Sequence, residues 1–199
     1  LRLIEVLRSM GYRVDVVLSE ASARVADSEC VSRDFFISKI RELGAGEVYW
    51  EDDLESALSS SSYFVYVDWV AVVPASIRTI SAIAHGIPDN LVVRACLNAL
   101  RLGKRVIAVV RESPLGAVEL RSLYMAARVG VIVVPAVVGF YSRPQTLQDV
   151  VDFIVGKVLD SAGVRDHNLY RRWPESRHAG EDMCSKLFSR GRTHPGSAF

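Results

Sequence analysis

The sequence has no long uncharged hydrophobic run and almost no net charge. No stretch rich in Leu, Ile and Val continues for the ~20 residues that a membrane span requires. The 24 Lys and Arg residues nearly balance the 23 Asp and Glu residues, which leaves a formal net charge of +1. Domains that bind nucleic acid through its phosphate backbone are usually strongly basic. We therefore expect a soluble globular protein with no membrane span and no nucleic acid partner.

The sequence also has little cysteine. Cys30, Cys96 and Cys184 are widely spaced, without a Cys-x-x-Cys pair and without a histidine at metal-ligand spacing. This pattern favours a reducing cytoplasm and predicts no metal site. Cys96 lies in the apolar helical run 95–100, so we expect a small buried hydrophobic residue rather than a nucleophile.

Segments typical of strands and helices alternate along the 199 residues, a length that suits one domain with a substantial core. The apolar segment Tyr63–Val73 is typical of a strand buried on both faces of a parallel sheet. Further strands are predicted at 14–18, 47–50, 105–110 and 131–134, with helices at 3–10, 20–26, 33–43, 76–84, 90–102, 117–129 and 147–159. The alternation predicts a three-layer, doubly wound parallel α/β fold, followed by a basic tail at 165–199, extended or disordered in part beyond Trp173.

Several polar segments follow predicted strands, which is where open α/β sheets bind ligands. Pro-Ala-Ser-Ile-Arg-Thr at 74–79 opens a helix, so it suits a phosphate, although ordinary N-capping explains it equally well. Arg111-Glu112 is either a surface ion pair or a group that handles a proton. Tyr141 lies sixteen positions before Lys157, which by itself is typical of a solvated basic helix face. Together the hydroxyls, the cations and one carboxyl favour a phosphorylated cofactor, a phosphorylated substrate, or both.

The order and spacing of these motifs resemble the UbiX-type flavin prenyltransferases over roughly residues 1–173. The most specific segments are Gly-Ile-Pro-Asp-Asn-Leu at 86–91 with Arg94-Ala95, and Tyr-Ser-Arg-Pro-Gln at 141–145. The resemblance implies a flavodoxin/Rossmann-like fold and transfer of a dimethylallyl group from dimethylallyl phosphate to reduced FMN. It further implies a cytoplasmic homo-oligomer, such as a dodecamer, whose product serves a UbiD-type decarboxylase.

The resemblance also implies a role for each matching residue. The FMN contacts fall on Ser19, Ser76, Ile77, Arg78, Thr79 and Arg111, and the donor contacts fall on Tyr141 and Lys157. Arg94, Arg101 and Glu112 match active-site positions of the family. The two arginines would bind the donor phosphate, and Glu112 would be the group that handles a proton. Trp173 matches a tryptophan that would cover the flavin of a neighbouring subunit.

The chain departs from the family pattern at three places. Ala75 replaces a usual Cys, and Arg101 replaces a common Lys, which keeps the charge but not the geometry. The family begins with a strand and a Gly/Ser loop before the helix that starts here at Leu1, so we expect residues 1–164 to form a flavoprotein α/β domain without its first strand. Two alternatives stay open. One is a flavin-dependent cysteine decarboxylase of the same fold, whose Met-Asn-x-x-Met-Trp motif is not found here. The other is a non-catalytic FMN-binding partner of a decarboxylase.

Overall fold

The computed structural model describes residues 1–29 and 31–173. The helices of this part are α1 (Arg2–Ser9), α2 (Glu20–Glu29), α3 (Arg33–Glu42), α4 (Ile77–His85), α5 (Leu91–Arg101), α6 (Ala117–Arg128) and α7 (Leu147–Ala162). The strands are β1 (Val16–Leu18), β2 (Val48–Trp50), β3 (Trp69–Ala75), β4 (Arg105–Val110) and β5 (Val131–Pro135), with short 3₁₀ helices at Ala57–Ser59, Tyr63–Tyr66 and Phe140–Ser142.

All strand pairings are parallel, and the strands form two sheets. One sheet pairs β1 with β2, and the other has the order β3-β4-β5. At the carboxyl edge of the larger sheet, Ala75 is in register with Val110, and Val110 with Pro135. The loops that follow these strands therefore start at the same level of one sheet edge.

Helices cover both faces of the larger sheet, which confirms the predicted three-layer α/β class. In β4, Val106, Ala108 and Val110 point into a core shared with α4, α5 and α6. Ile107 and Val109 point into a second core shared with α1 and α7. This alternation puts α5 and α7 on opposite faces of the sheet.

The prediction of one continuous strand over Tyr63–Val73 is wrong. Residues 63–66 form a 3₁₀ helix, and the strand starts only at Trp69 and continues to Ala75. In the 3₁₀ turn Phe64 alone is fully buried, while Val65 and Tyr66 are 58% and 82% exposed. A strand covered on both faces would bury all three of these side chains. The apolar character of the segment was therefore not enough to predict where the strand begins.

The two sheets are connected through Glu51 rather than through strand pairing. The Glu51 carbonyl accepts the Leu91 N–H at 2.7 Å. Its carboxylate accepts the Glu20 N–H at 2.8 Å and the Asn90 side-chain amide at 2.9 Å. Glu51 thus links the N-terminal ends of α2 and α5. In the described part of the chain, β1 and β3 each have one edge without a strand partner; that the domain lacks its first strand stays a prediction.

Local sequence signals set the helix ends. Ser76 caps α4, as the N-capping interpretation of residues 74–79 predicts, while Asn90 caps α5 and Thr146 caps α7. Cys96 is fully buried, and burial raises the pKa of its thiol to about 12, so it is confirmed as a core residue. Cys30, Cys184 and the predicted tail beyond Trp173 lie outside the described residues. Within those residues, no helix is long and apolar enough to cross a membrane, and no cluster of His, Cys, Asp and Glu side chains is arranged to hold a metal ion.

Candidate functional site

The carboxyl edge of the sheets presents several of the predicted site residues. Ser19 follows β1, Ser76 follows β3 and Arg111 follows β4. Because Ala75 and Val110 are a register pair, Ser76 and Arg111 leave neighbouring strands at the same level. The Ala136 N–H donates to the Val110 carbonyl at 2.8 Å, which ties the loop after β5 to this edge.

The helix N-termini at this edge differ in charge. The Ser76 hydroxyl accepts the Thr79 N–H at 3.2 Å, and the first turn of α4 contains no acidic residue. The first turn of α2 begins with Glu20, whose N–H is already bound by the Glu51 carboxylate. The partial positive charge of a helix N-terminus favours an anion, and an acidic side chain nearby opposes a second one. The N-terminus of α4 is therefore the better anion site of the two.

The remaining residues predicted at this edge have varied surroundings. The Arg78 guanidinium forms an ion pair with Asp89 at 2.6 Å, and Ile77 and Thr79 are half-buried. The Ser19 hydroxyl caps the start of α2 by accepting the Ser22 N–H at 3.1 Å. Glu112 is exposed, and its carboxylate accepts the Ser113 N–H at 3.2 Å. The Glu112 carboxyl is therefore open to solvent and to a ligand.

A polar cavity of about 360 Å³ lies beside α5. Arg94, Asn98 and Arg101 are spaced four and three positions apart, so they share one face of the helix. Asn98 accepts a hydrogen bond from Arg101 at 3.2 Å and donates to the Ser59 carbonyl at 3.0 Å. The buried Nε of Arg94 and the buried hydroxyl of Ser59 have no hydrogen-bond partner among the described residues. Two guanidinium groups and unpaired polar atoms make this cavity suited to a phosphate group. Its lining is completed by Ser60, Ser61, Gly86, Pro88 and Leu97.

A second cluster surrounds Lys157 on α7. The Lys157 ammonium nitrogen lies 4.5 Å from the ring centroid of Tyr170, 5.2 Å from that of Phe153 and 5.9 Å from that of Tyr141. Trp173 packs edge-on against Tyr141, with the ring centroids 5.6 Å apart, and stays 62% exposed. The structure therefore brings Tyr141 and Lys157 together and surrounds them with aromatic rings.

Hydrogen bonds in this second cluster shift its pKa values. Burial acts to lower the pKa of Lys157, but the hydrogen bonds with Tyr170 and Tyr141 outweigh it and leave the pKa above its ordinary value. Burial acts to raise the pKa of Asp160, but donors led by Arg172 hold it below its ordinary value. Lys157 stays protonated and Asp160 ionised at neutral pH.

The structure does not bring together all four residues predicted on the donor phosphate. Arg94 and Arg101 lie on α5, and Tyr141 and Lys157 lie beside α7, on the opposite face of the sheet. Within one chain they form two half-sites. We call them the α5 half-site (Arg94, Asn98, Arg101 and the serines at 59–61) and the α7 half-site (Tyr141, Phe153, Lys157, Tyr170 and Trp173).

Sequence reasoning missed several members of the α7 half-site and its surroundings. Phe153, Gly156 and Asp160 share a face of α7 with Lys157, at helical spacings of three and four. That spacing was available in the sequence. The contacts of Tyr170 and His167 with this face depend on the path of the chain after α7, which no local pattern predicts.

Comparison with known proteins defines the class. Residues 1–159 match the Flavoprotein family, to which the chain belongs. It is 37% identical over 175 residues to the flavin prenyltransferase UbiX of Saccharolobus solfataricus, covering 87% of this chain and 84% of that protein. Within the flavoproteins, the chain is thus a member of the UbiX flavin prenyltransferase family, which confirms the resemblance predicted from its motifs.

Solved structures agree with this assignment. AnUbiX, crystallised with FMN and dimethylallyl pyrophosphate, matches with a TM-score of 0.78 and 29% identity, covering 86% of this chain and 88% of that chain. A dodecameric FMN-dependent UbiX-like decarboxylase from Escherichia coli O157:H7 matches with a TM-score of 0.77 and 31% identity, covering 86% and 90%. These matches do not favour a cysteine decarboxylase or a non-catalytic partner.

Proposed function

We propose that this protein transfers a dimethylallyl group from dimethylallyl phosphate to reduced FMN, using Lys157 and Tyr141 to hold the donor phosphate. The observation that carries the proposal is the position of the Lys157 ammonium among three aromatic rings. An ammonium binds the leaving phosphate, and aromatic faces stabilise the allylic cation that remains when the carbon–oxygen bond breaks.

The residues at the carboxyl edge fit an FMN phosphate and ring system. The positive N-terminal end of α4 can attract an anion, because the first turn of this helix contains no acidic side chain that would repel it. We assign Ser76, Ile77, Arg78 and Thr79 to this contact, together with Arg111 on the same edge and Ser19 at the end of β1 in the smaller sheet. When bound, reduced FMN supplies the nucleophilic ring atoms that accept the dimethylallyl group. To Glu112, whose carboxyl is exposed beside Arg111, we assign the taking and returning of a proton.

The division into two half-sites supports a site formed between subunits. Arg94 and Arg101 cannot reach the phosphate held by Lys157 of the same chain, because the sheet lies between α5 and α7. An α5 half-site of one subunit facing an α7 half-site of another would bring the three cations and the Tyr141 hydroxyl onto one donor. The dodecameric relative from E. coli shows that related chains assemble. We therefore propose a homo-oligomer in which Trp173, largely exposed, lies at a subunit junction.

The prenylated flavin would serve a UbiD-type decarboxylase as its cofactor. The proposed activity is tested by mixing the protein with reduced FMN and dimethylallyl phosphate without oxygen and analysing the flavin by mass spectrometry. We expect a flavin heavier by one isoprene unit, and the same product from Tyr63→Phe, a variant of a phenol outside both half-sites. Unmodified FMN after prolonged incubation with a well-folded protein would contradict the proposed transfer.

A further inference from the structure

Asp160 lies one helical turn beyond Lys157 and collects hydrogen bonds from three side chains. Arg172 donates to it from both terminal nitrogens, at 2.8 and 3.2 Å. The His167 Nε2 lies 3.1 Å from the same carboxylate, and the His167 side chain is 2% exposed. The Tyr170 hydroxyl donates to the other carboxylate oxygen. These donors therefore hold the Asp160 carboxylate in one orientation.

The Tyr170 hydroxyl connects this carboxylate to Lys157. A phenol has one proton to donate, and here it goes to Asp160. The oxygen is then left to accept, and the Lys157 ammonium donates to it at 2.9 Å. Hydrogen bonds in such a chain polarise one another, so the carboxylate strengthens the bond made by the ammonium. The order of donation is Lys157 to Tyr170 to Asp160.

Packing leaves the Tyr170 ring little freedom. Its centroid lies 5.0 Å from that of Phe153. A Cβ built on Gly156 would meet the Cδ1 of Tyr170 at 2.5 Å, so the ring rests directly on the helix backbone. The phenol oxygen is thereby held at one position relative to α7. Its hydrogen-bond partner, the ammonium of Lys157, is held with it.

We propose that Asp160 is a positioning residue that acts through the Tyr170 hydroxyl to aim the Lys157 ammonium at the donor phosphate. The inference rests on the proposed function, in which Lys157 binds that phosphate. An ammonium has three N–H bonds. One is bound by Tyr170, which leaves two for the ligand.

The charges of the cluster agree with this role. Lys157 and Arg172 are cations, and the anion Asp160 lies between them. Asp160 is bound to Arg172 directly and to Lys157 only through Tyr170. The Asp160 carboxylate therefore orients the Lys157 ammonium without forming a direct ion pair with it. A phosphate can then bind the ammonium without first displacing a carboxylate.

The test uses Tyr170→Phe, which removes the bridging hydroxyl and keeps the ring. We expect the dissociation constant for dimethylallyl phosphate, measured by calorimetry on the FMN-loaded protein, to rise about tenfold, since a hydrogen bond to a charged group is lost. Bound FMN and the melting temperature should change little. Asp160→Asn, of the same size, should give a similar loss, and the double variant should lose no more than either one, because both interrupt one chain of bonds.

Tyr63→Phe is the matched control, because it removes another phenol that donates to a carboxylate, Asp15, at 3.4 Å. It should bind the donor as the native protein does. If Lys157→Ala weakens donor binding while Tyr170→Phe and Asp160→Asn do not, the positioning role is wrong and the proposed function stands. If Lys157→Ala itself binds the donor normally, the donor site has been misplaced. Should Tyr170→Phe fail to fold, Asp160→Asn carries the same test without touching the ring.

Discussion

Replacing Gly156 by alanine tests whether the Tyr170 ring rests on α7 as described. Alanine is favoured over glycine inside a helix by about 1 kcal/mol, so by helix propensity alone the variant should be more stable. The new methyl group, however, would lie 2.5 and 2.7 Å from two carbons of the Tyr170 ring and 3.2 Å from the Cε1 of His167. Real carbon atoms do not approach so closely, and the ring must move.

The magnitude follows from these opposing effects. Overpacking a tight contact costs typically ~1–3 kcal/mol, which offsets the helix gain and leaves a loss of up to about 2 kcal/mol. For a chain of this size such a loss lowers the Tm by roughly 4–8 °C at most. The larger consequence is for binding, because a displaced Tyr170 hydroxyl no longer accepts the Lys157 ammonium at 2.9 Å. We expect donor affinity to fall on the order of tenfold.

Thermal melts and calorimetric titration with dimethylallyl phosphate measure both effects. The control repeats the substitution in a Tyr170→Ala background, where the ring is absent and alanine at position 156 should cost less or stabilise the helix. If Gly156→Ala raises the Tm of the otherwise native chain by the full helix propensity and leaves donor affinity unchanged, the packing of Tyr170 on α7 is not as described.

Three further predictions concern catalysis, assembly and pH. Glu112→Gln should bind FMN and donor normally but slow single-turnover flavin prenylation on the order of a hundredfold; a native rate would leave Glu112 as a surface carboxylate. Arg101→Ala and Lys157→Ala should each be inactive alone. Oligomers formed by co-expressing the two variants should regain part of the activity, because some subunit junctions combine an intact α5 half-site with an intact α7 half-site. No recovery would contradict a shared site. The pKa of Asp160 is lowered in the folded protein, so the stabilisation that its carboxylate provides is complete above about pH 4 and is lost as the pH falls through the folded pKa. The difference in Tm between the native protein and Asp160→Asn should therefore shrink in acid. A difference that stays constant with pH would refute this.

Much of the fold could be predicted because local signals agree with the tertiary structure. Ser76 was predicted as a possible helix cap and caps α4, and the helix predicted to begin at residue 90 begins at Leu91 with Asn90 as its cap. The buried strand β4 was predicted with its observed bounds, Arg105–Val110. The segment Tyr63–Val73 failed because hydrophobicity alone does not separate a strand from a 3₁₀ turn that buries one side chain. The pairing of β1 with β2 apart from β3 is a long-range property, and no local pattern encodes it.

The candidate site was predicted in part. Tyr141 and Lys157 were singled out together by the resemblance to the flavin prenyltransferases, and the structure places them in one cluster. That Arg101 lies on the opposite face of the sheet follows from the direction in which the chain crosses over between strands, which motif order does not reveal. Tyr170 was not found, because its role depends on the close approach to Gly156. Close approach is a property of the folded chain.

The two half-sites depend on different cores. The arginines of the α5 half-site extend from a helix whose inner face, with Cys96 and Ala99, packs into the core under α4 and α6. The α7 half-site extends from a helix anchored by Val158 and Leu159 in the core shared with α1. Since side chains in a close-packed core transmit strain mainly to their own contacts, a cavity in one core should disturb one half-site and spare the other. In the proposed site between subunits, the geometry is then set by two separate cores and by the junction that brings their helices together. A change in the junction alone should therefore weaken donor binding without altering either core.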